Sequence, residues 1–274
     1  MTATGTTFLY VPGDRPDRIA KALASEADEV LIDLEDAVAP DHKELARDSM
    51  IKSVAAAEGR AIQVRINPEG TPWYQSDVDA VRTLDPTIGV RLPKCEDPGR
   101  VAQTIAELES RPAQLLIESA LGVEAAFDLA RCHPAVVGIG LGEADLRADL
   151  GVCTAQGLLY ARSRLVTAAA AAGLRPPVMS VYTDVRDLDG LRRSTLEGRD
   201  LGFLGRTAIH PRQLAVIADV FRPDPADIVR AEEILAAAAA GLRQQDGAVA
   251  LPDGRFVDRA VLRQARRLLD LREH

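Results

Sequence analysis

Eight short β-rich apolar runs, each followed by a stretch of helical periodicity, set the tightest limit on what this chain can fold into. The runs are residues 7–11, 29–34, 62–66, 89–92, 114–117, 136–141, 178–182 and 203–209. Between them, Val101/Ile105/Leu108, Leu158/Leu165/Ala169 and Leu214/Ile217/Ala218/Phe221 recur at helical spacing with one apolar stripe. A helix that returns the chain to the same end of the sheet makes the next strand parallel, so the alternation predicts a parallel sheet. Eight repeats fit a closed (β/α)8 TIM barrel spanning residues 1–222. An open doubly wound sheet fits less well, because no strand leads into a GxGxxG turn. The glycines of residues 138–142 lie within and just after a run, where Glu143 and Asp145 would repel a pyrophosphate.

After Phe221 the pattern changes. Pro223 and Pro225 interrupt the chain, and Ile228/Ala231/Leu235/Ala238/Leu242 then follow helical spacing. A short hairpin over 249–257, turning at Asp253 and Gly254, leads into a last helix bearing Leu262, Ala265 and Leu269. Residues 223–274 are too few for a core of their own. They are expected to form a helical extension packing on the barrel or on a neighbouring subunit.

Composition narrows the function. A chain that is 47% hydrophobic and 27% charged is an ordinary globular protein, and a net charge of −8 argues against non-specific binding to nucleic acid or anionic membranes. No run approaches the ~18 apolar residues of a membrane span, and the first residues lack the basic and apolar regions of a secretory leader. The expected location is cytoplasmic. Cys95, Cys132 and Cys153 form no CxxC pair and the four histidines are scattered, so a bound metal would take oxygen ligands, which favours Mg2+. Lysine occurs only at 21, 43, 52 and 94, every other basic residue is arginine, and a single arginine therefore carries little signal.

In a parallel barrel the C-terminal strand ends share one mouth, where reactive groups gather. Glu118 follows the run 114–117 and Asp145 the run 136–141, consecutive strands that should be neighbours, so the two carboxylates should stand roughly 5 Å apart, a separation that demands a cation or a shared proton. Mg2+ between them would keep positions open for water and a substrate oxygen. Glu143 is an alternative ligand, and a proton-sharing or arginine-paired structural pair is the plain alternative. Arg65, inside an apolar run, needs an anionic partner, either Glu35 or Glu118 structurally or a substrate carboxylate beside the metal. Asp33 and Glu35 share a strand face and suit acceptors that orient Arg65 or metal-bound water. Lys94 at a strand end could in principle form an imine, but the surrounding acids make ion pairing the simpler role. Ser119, Ser180 and Ser194 have no histidine in a hydrolase pattern.

With these residues placed, the chain resembles the citrate lyase β-subunit-like lyases of the HpcH/HpaI aldolase superfamily. The matching segments are F-L-Y-V-P-G-D-R-P, D-L-E-D-A-V, V-R-I-N, L-P-K, I-E-S-A-L-G-V, G-E-A-D-L, T-A-I-H-P-R-Q and G-R-F-V-D, in order along nearly the whole chain. The resemblance implies a (β/α)8 barrel that uses Mg2+ to cleave or form a C–C bond beside an acyl thioester. By position it implies Glu118 and Asp145 as metal ligands and Arg65 as the clamp on the keto acid. Arg15, Glu35 and Asp36 would line the same pocket. Lys94, His210 and Pro211 would lie on the substrate side, the last two near the thioester carrier. Asp258, matching an acid supplied from the tail, would serve a proton step, though it also suits a helix N-cap. The resemblance further implies a homotrimer, other lyase subunits as partners, and a carrier that is coenzyme A or an acyl-carrier protein.

The expected activity is Mg2+-dependent cleavage of a citryl-, malyl- or citramalyl-type thioester into a keto acid and an acyl thioester. A thioesterase on the same scaffold and a non-catalytic binding barrel are the alternatives.

Overall fold

The computed structural model describes residues 5–57, 59–242, 249–250 and 256–270. The chain divides into two compact units, Thr6–Val220 and Phe221–His274 with Met1–Gly5.

In the larger unit, strands and helices alternate. The strands are β1 (Thr7–Pro12), β2 (Glu29–Asp33), β3 (Ile62–Arg65), β4 (Gly89–Leu92), β5 (Ala113–Ile117), β6 (Val136–Leu141) and β7 (Arg206–Ala208). The helices are α1 (Pro16–Leu23), α2 (Lys43–Ala55), α3 (Tyr74–Arg82), α4 (Pro98–Glu107), α5 (Ala120–Ala130), α6 (Glu143–Leu150), α7 (Leu159–Ala171), α8 (Leu188–Asp200) and α9 (Leu214–Phe221). All seven strands join one curled sheet in the order β6-β5-β4-β3-β2-β1-β7, and every pairing is parallel. Burial on both faces explains the near-continuous apolar runs: Val30, Leu31, Ile32, Val64, Val90, Leu115 and Ile117 are all fully buried.

The run expected at 178–182 is not a full strand. Val178 bridges Gly140 of β6, and Met179 bridges Arg206 of β7, both in parallel sense. Met179 donates its N–H to Gly205 O at 3.0 Å and accepts from Thr207 N at 3.0 Å. Upstream, Pro176 and Pro177 have no N–H with which to extend a ladder.

Helix starts follow local chemistry. Asp97 caps α4 by accepting from Gly99 N and Arg100 N, with Pro98 at the first position, and Ser119 caps α5 through Gly122 N. Both caps sit directly after strand ends, so the loops that carry the mouth residues are short and fixed.

In the smaller unit α10 (Pro225–Leu242) and α11 (Arg259–Asp270) bury Ala231, Ala238 and Ala265, and β8 (Val249–Ala250) pairs antiparallel with β9 (Phe256–Val257). The turn expected at Asp253 and Gly254 lies outside the described residues. Among those residues no helix is long and apolar enough to cross a membrane.

Candidate active site

At the C-terminal ends of the strands lies a cavity of about 350 Å³, lined among others by Tyr10, Asp33, Asp36, Arg65, Arg91, Gln114, Glu118 and Asp145. Register explains its central contact. Asp33, the last residue of β2, stands opposite Arg65, the last of β3. Arg65 Nε and Nη2 each donate to one Asp33 oxygen, at 2.7 and 2.6 Å, a bidentate fork. Arg65 Nη1 reaches Asp36 at 3.3 Å and lies 2.9 Å from Glu35 Oε2, an ion pair without hydrogen-bond alignment. The Tyr10 ring lies 5.0 Å from the guanidinium. Burial opposes the charge of Arg65, but the hydrogen bonds and charge of Asp33 outweigh it and raise its pKa.

Glu35 is buried between two cations. Its Oε1 accepts from Lys94 Nζ at 3.0 Å and its Oε2 faces Arg65. Burial nevertheless dominates, and with the charges of Asp36 and Glu118 it pushes the Glu35 pKa up to about 7 against the pull of Arg65 and Lys94. The loop carrying Glu35 is pinned by Lys43, a buried ammonium that donates to Leu34 O, Glu35 O and Asn67 Oδ1 at 2.6, 2.7 and 2.8 Å. Asn67 is held in turn by Asp77.

Glu118 directly follows β5 and is buried. Its Oε2 accepts the backbone N–H of Lys94 at 2.8 Å. Burial raises its pKa, and the nearby charge of Asp145 adds to that rise, while Lys94 and Arg65 oppose it. Asp145 lies in the first turn of α6 and has neither a hydrogen bond nor an ion pair among the described residues. Gly142 makes this juxtaposition possible, because a Cβ there would collide with the Glu118 carboxylate. Glu143, the other sequence candidate for a metal ligand, is taken bidentately by Arg162, at 2.8 Å to each oxygen.

Two facing carboxylates, one buried and one unpaired, suit a hard cation with oxygen ligands. They leave most of its coordination sphere to water or substrate, as Mg2+ requires. No group of three or more His, Cys, Asp or Glu side chains arranged for a metal exists among the described residues.

The structure thus brings together Arg65, Glu35, Asp36, Lys94, Glu118 and Asp145. It does not bring Arg15, His210 or Pro211 to the cavity wall. Arg15 is exposed and pairs weakly with Asp17 at 3.5 Å. His210 is exposed and its Nδ1 accepts from Arg212 N, capping the turn that contains Pro211. Asp258, exposed in the smaller unit, caps α11 by accepting from Val261 N at 2.9 Å. Sequence reasoning missed Lys43, Arg91 and Tyr10. The inward face of β4, a period-two argument from Val90 and Leu92, was the available signal for Arg91.

The model of the HpcH/HpaI aldolase/citrate lyase family matches residues 6–211. The citrate lyase subunit beta of Leuconostoc mesenteroides is 32% identical over 285 residues, covering 97% of this chain and 92% of the relative. A (3S)-malyl-CoA thioesterase of Cereibacter sphaeroides is 37% identical, covering 96% and 93%. CitE of Mycobacterium tuberculosis, solved with magnesium, acetoacetate and coenzyme A, superposes with a TM-score of 0.82 at 33% identity over 100% of both chains. The citrate lyase beta subunit of the same organism, with oxaloacetate and magnesium, gives 0.71 at 34% identity, covering 80% of this chain and 97% of that one.

Proposed function

The chain belongs to the HpcH/HpaI aldolase/citrate lyase family, and on that premise we propose that it is a Mg2+-dependent carbon–carbon lyase. Its substrate is a 3-hydroxy-carboxyacyl thioester of the citryl-, malyl- or citramalyl-CoA type, and its products are a keto acid and an acyl thioester. The observation that carries this reading is the single cavity in which an unpaired Asp145 and a buried Glu118 share space with an Arg65 braced by Asp33.

Glu118 and Asp145 would hold the ion, and when bound it supplies Lewis acidity to the hydroxyl oxygen that becomes the ketone. Arg65 binds the carboxylate of the hydroxy acid. Three of its donors are engaged by Asp33 and Asp36, which locks its plane while leaving the rest of the fork for the ligand. Glu35, with a pKa near 7, is the group suited to move a proton at neutral pH, and Lys94 and Arg65 fix where that proton is held. Asp258 is proposed as the second proton-transfer group, contributed by the tail of the same or a neighbouring chain in a homotrimer. His210 and Pro211 are proposed to meet a coenzyme A or carrier-protein arm, and Arg15 is proposed to bind the substrate with them. Residues 178–179 act as the eighth stave that closes the barrel between β6 and β7, residues 1–222 form that barrel, and residues 223–274 form its helical extension. Such an enzyme would work in the cytoplasm.

Hydrolysis is a second reading, favoured by the likeness to the malyl-CoA thioesterase. One assay separates the two. Citryl-, malyl- and citramalyl-CoA are incubated with the protein, with and without chelator, and the products are identified. Keto acid and acyl-CoA released only without chelator support the lyase. Free CoA with intact hydroxy acid supports the thioesterase, and equal keto-acid release in chelator rejects the metal.

A further inference from the structure

A second guanidinium faces the cavity beside Arg65. Arg91 of β4 stands opposite Arg65 in the sheet register, is 3% exposed, and lines the same cavity. Both guanidinium groups flank the Tyr10 ring, at 5.0 and 5.6 Å. Their partners differ sharply. Arg65 meets three carboxylates, whereas the hydrogen bond of Arg91 runs from Nε to the neutral amide of Gln63 at 3.1 Å. Its Nη2 is buried with no hydrogen-bond partner, and no carboxylate lies within ion-pair distance among the described residues. Glu29 acts on it electrostatically, but the same partly buried acid also acts on Arg175.

A buried, bare N–H of a charged group is costly, and native proteins keep such groups where something else satisfies them. Arg91 itself lines the cavity wall. Gln114 lines the same wall, and its amide occupies space that a side chain at Gly138 would fill. Arg65 is therefore the braced cation of the site and Arg91 the uncommitted one.

We propose that Arg91 is a specificity-determining residue that receives a second carboxylate of the acid fragment whose first carboxylate binds Arg65. The site would then favour dicarboxylic over monocarboxylic keto acids. This rests on the lyase reading above and adds to it the substrate class and the residue that selects it. Oxaloacetate is pyruvate carrying one more carboxylate, so the pair isolates that group.

The test is calorimetric titration of the full chain, in Mg2+, with freshly dissolved oxaloacetate and with pyruvate. The expected result is at least tenfold tighter binding of oxaloacetate by the wild type. In Arg91→Met the preference falls to within threefold while pyruvate affinity is unchanged, and the retained pyruvate binding shows an intact fold. If Arg91→Met does not fold, Arg91→Gln and Arg91→Lys are compared, and the preference is expected to be lost in the first and partly kept in the second. Equal wild-type affinities, or a preference that survives loss of the charge, overturns the role of Arg91 while leaving the lyase reading standing, because pyruvate still binds. Binding of neither acid to the wild type overturns both.

Discussion

The backbone N–H of Lys94 holds Glu118 Oε2 at 2.8 Å, and Lys94 can do so because its φ is +53°, in the left-handed region. The contact joins the end of β4 to the end of β5 through a main-chain donor, which no side-chain rotation can withdraw. The ammonium of the same residue reaches Glu35 instead. One residue therefore orients two acids by two independent means. Glycine at this position keeps the N–H and relieves a left-handed conformation costing roughly 1–2 kcal/mol, against a comparable loss of ion pairing and unfolded-state entropy. Lys94→Gly is thus expected to hold stability within about 1 kcal/mol and Mg2+ affinity within about threefold. A much larger loss of Mg2+ binding by calorimetry would mean that the ammonium, not the backbone, orders Glu118.

Gly142 and Glu118 make a second, steric prediction. A methyl group at Gly142 would occupy the place of the Glu118 carboxylate. Gly142→Ala should lower Mg2+ affinity by roughly 10–100-fold, the range found when groups that orient a metal ligand are disturbed. Glu118→Gln removes a buried charge that Asp145 repels. Its metal-free melting temperature should equal or exceed that of the wild type, and Mg2+ should raise the melting temperature of the wild type only. An equal Mg2+-induced shift in both proteins would remove Glu118 from the metal site.

The parallel sheet was legible because parallel strands buried on both faces leave unbroken apolar runs, and the runs at 89–92 and 136–141 match β4 and β6 end for end. The run at 178–182 read as a strand on its apolar residues, whereas only Val178 and Met179 make bridges. Glu118 and Asp145 were legible because consecutive parallel strands are neighbours. The partner of Arg65 was harder. Sequence reasoning offered Glu35 or Glu118 as its ion pair and Asp33 with Glu35 as acceptors that orient it, but only register shows that Asp33 stands directly across and takes the bidentate fork. Lys43 looks like any lysine in the first turn of a helix, and only the packed structure shows its ammonium buried against Leu34 O and Glu35 O. Arg91 was hidden by composition, since a chain so rich in arginine makes none conspicuous.

Arg65 gives a stability prediction that the fork to Asp33 makes specific. Arg65→Ala leaves Asp33 and Glu35, both buried, without their principal cation. Breaking one side of a buried pair costs about 3–5 kcal/mol, because the remaining charge stays desolvated. Arg65→Lys keeps a charge but cannot match both Asp33 oxygens in one plane, and should cost less, about 1–2 kcal/mol. Denaturant midpoints of the two variants decide this. If Arg65→Ala melts like the wild type, the fork with Asp33 carries no stability and Arg65 serves the ligand alone.

Glu35 supplies the pH dependence. Its pKa in the folded protein, about 7, lies above its ordinary value of 4.5, chiefly because burial penalises the carboxylate. Between those values the native state keeps a proton that the unfolded chain has released. Stability from this group is therefore fully present below the unfolded value and is lost as pH rises through 7. The shift corresponds to about 3 kcal/mol at most. Glu35→Gln cannot titrate, so the stability of the wild type relative to this variant should decline between pH 5 and pH 8, by roughly 2–3 kcal/mol. Urea unfolding of both proteins across that range isolates the group, because every other titration is common to the pair. A difference that stays flat with pH would mean that Arg65 and Lys94 hold Glu35 ionised throughout, and the proton step assigned to Glu35 would lose its basis.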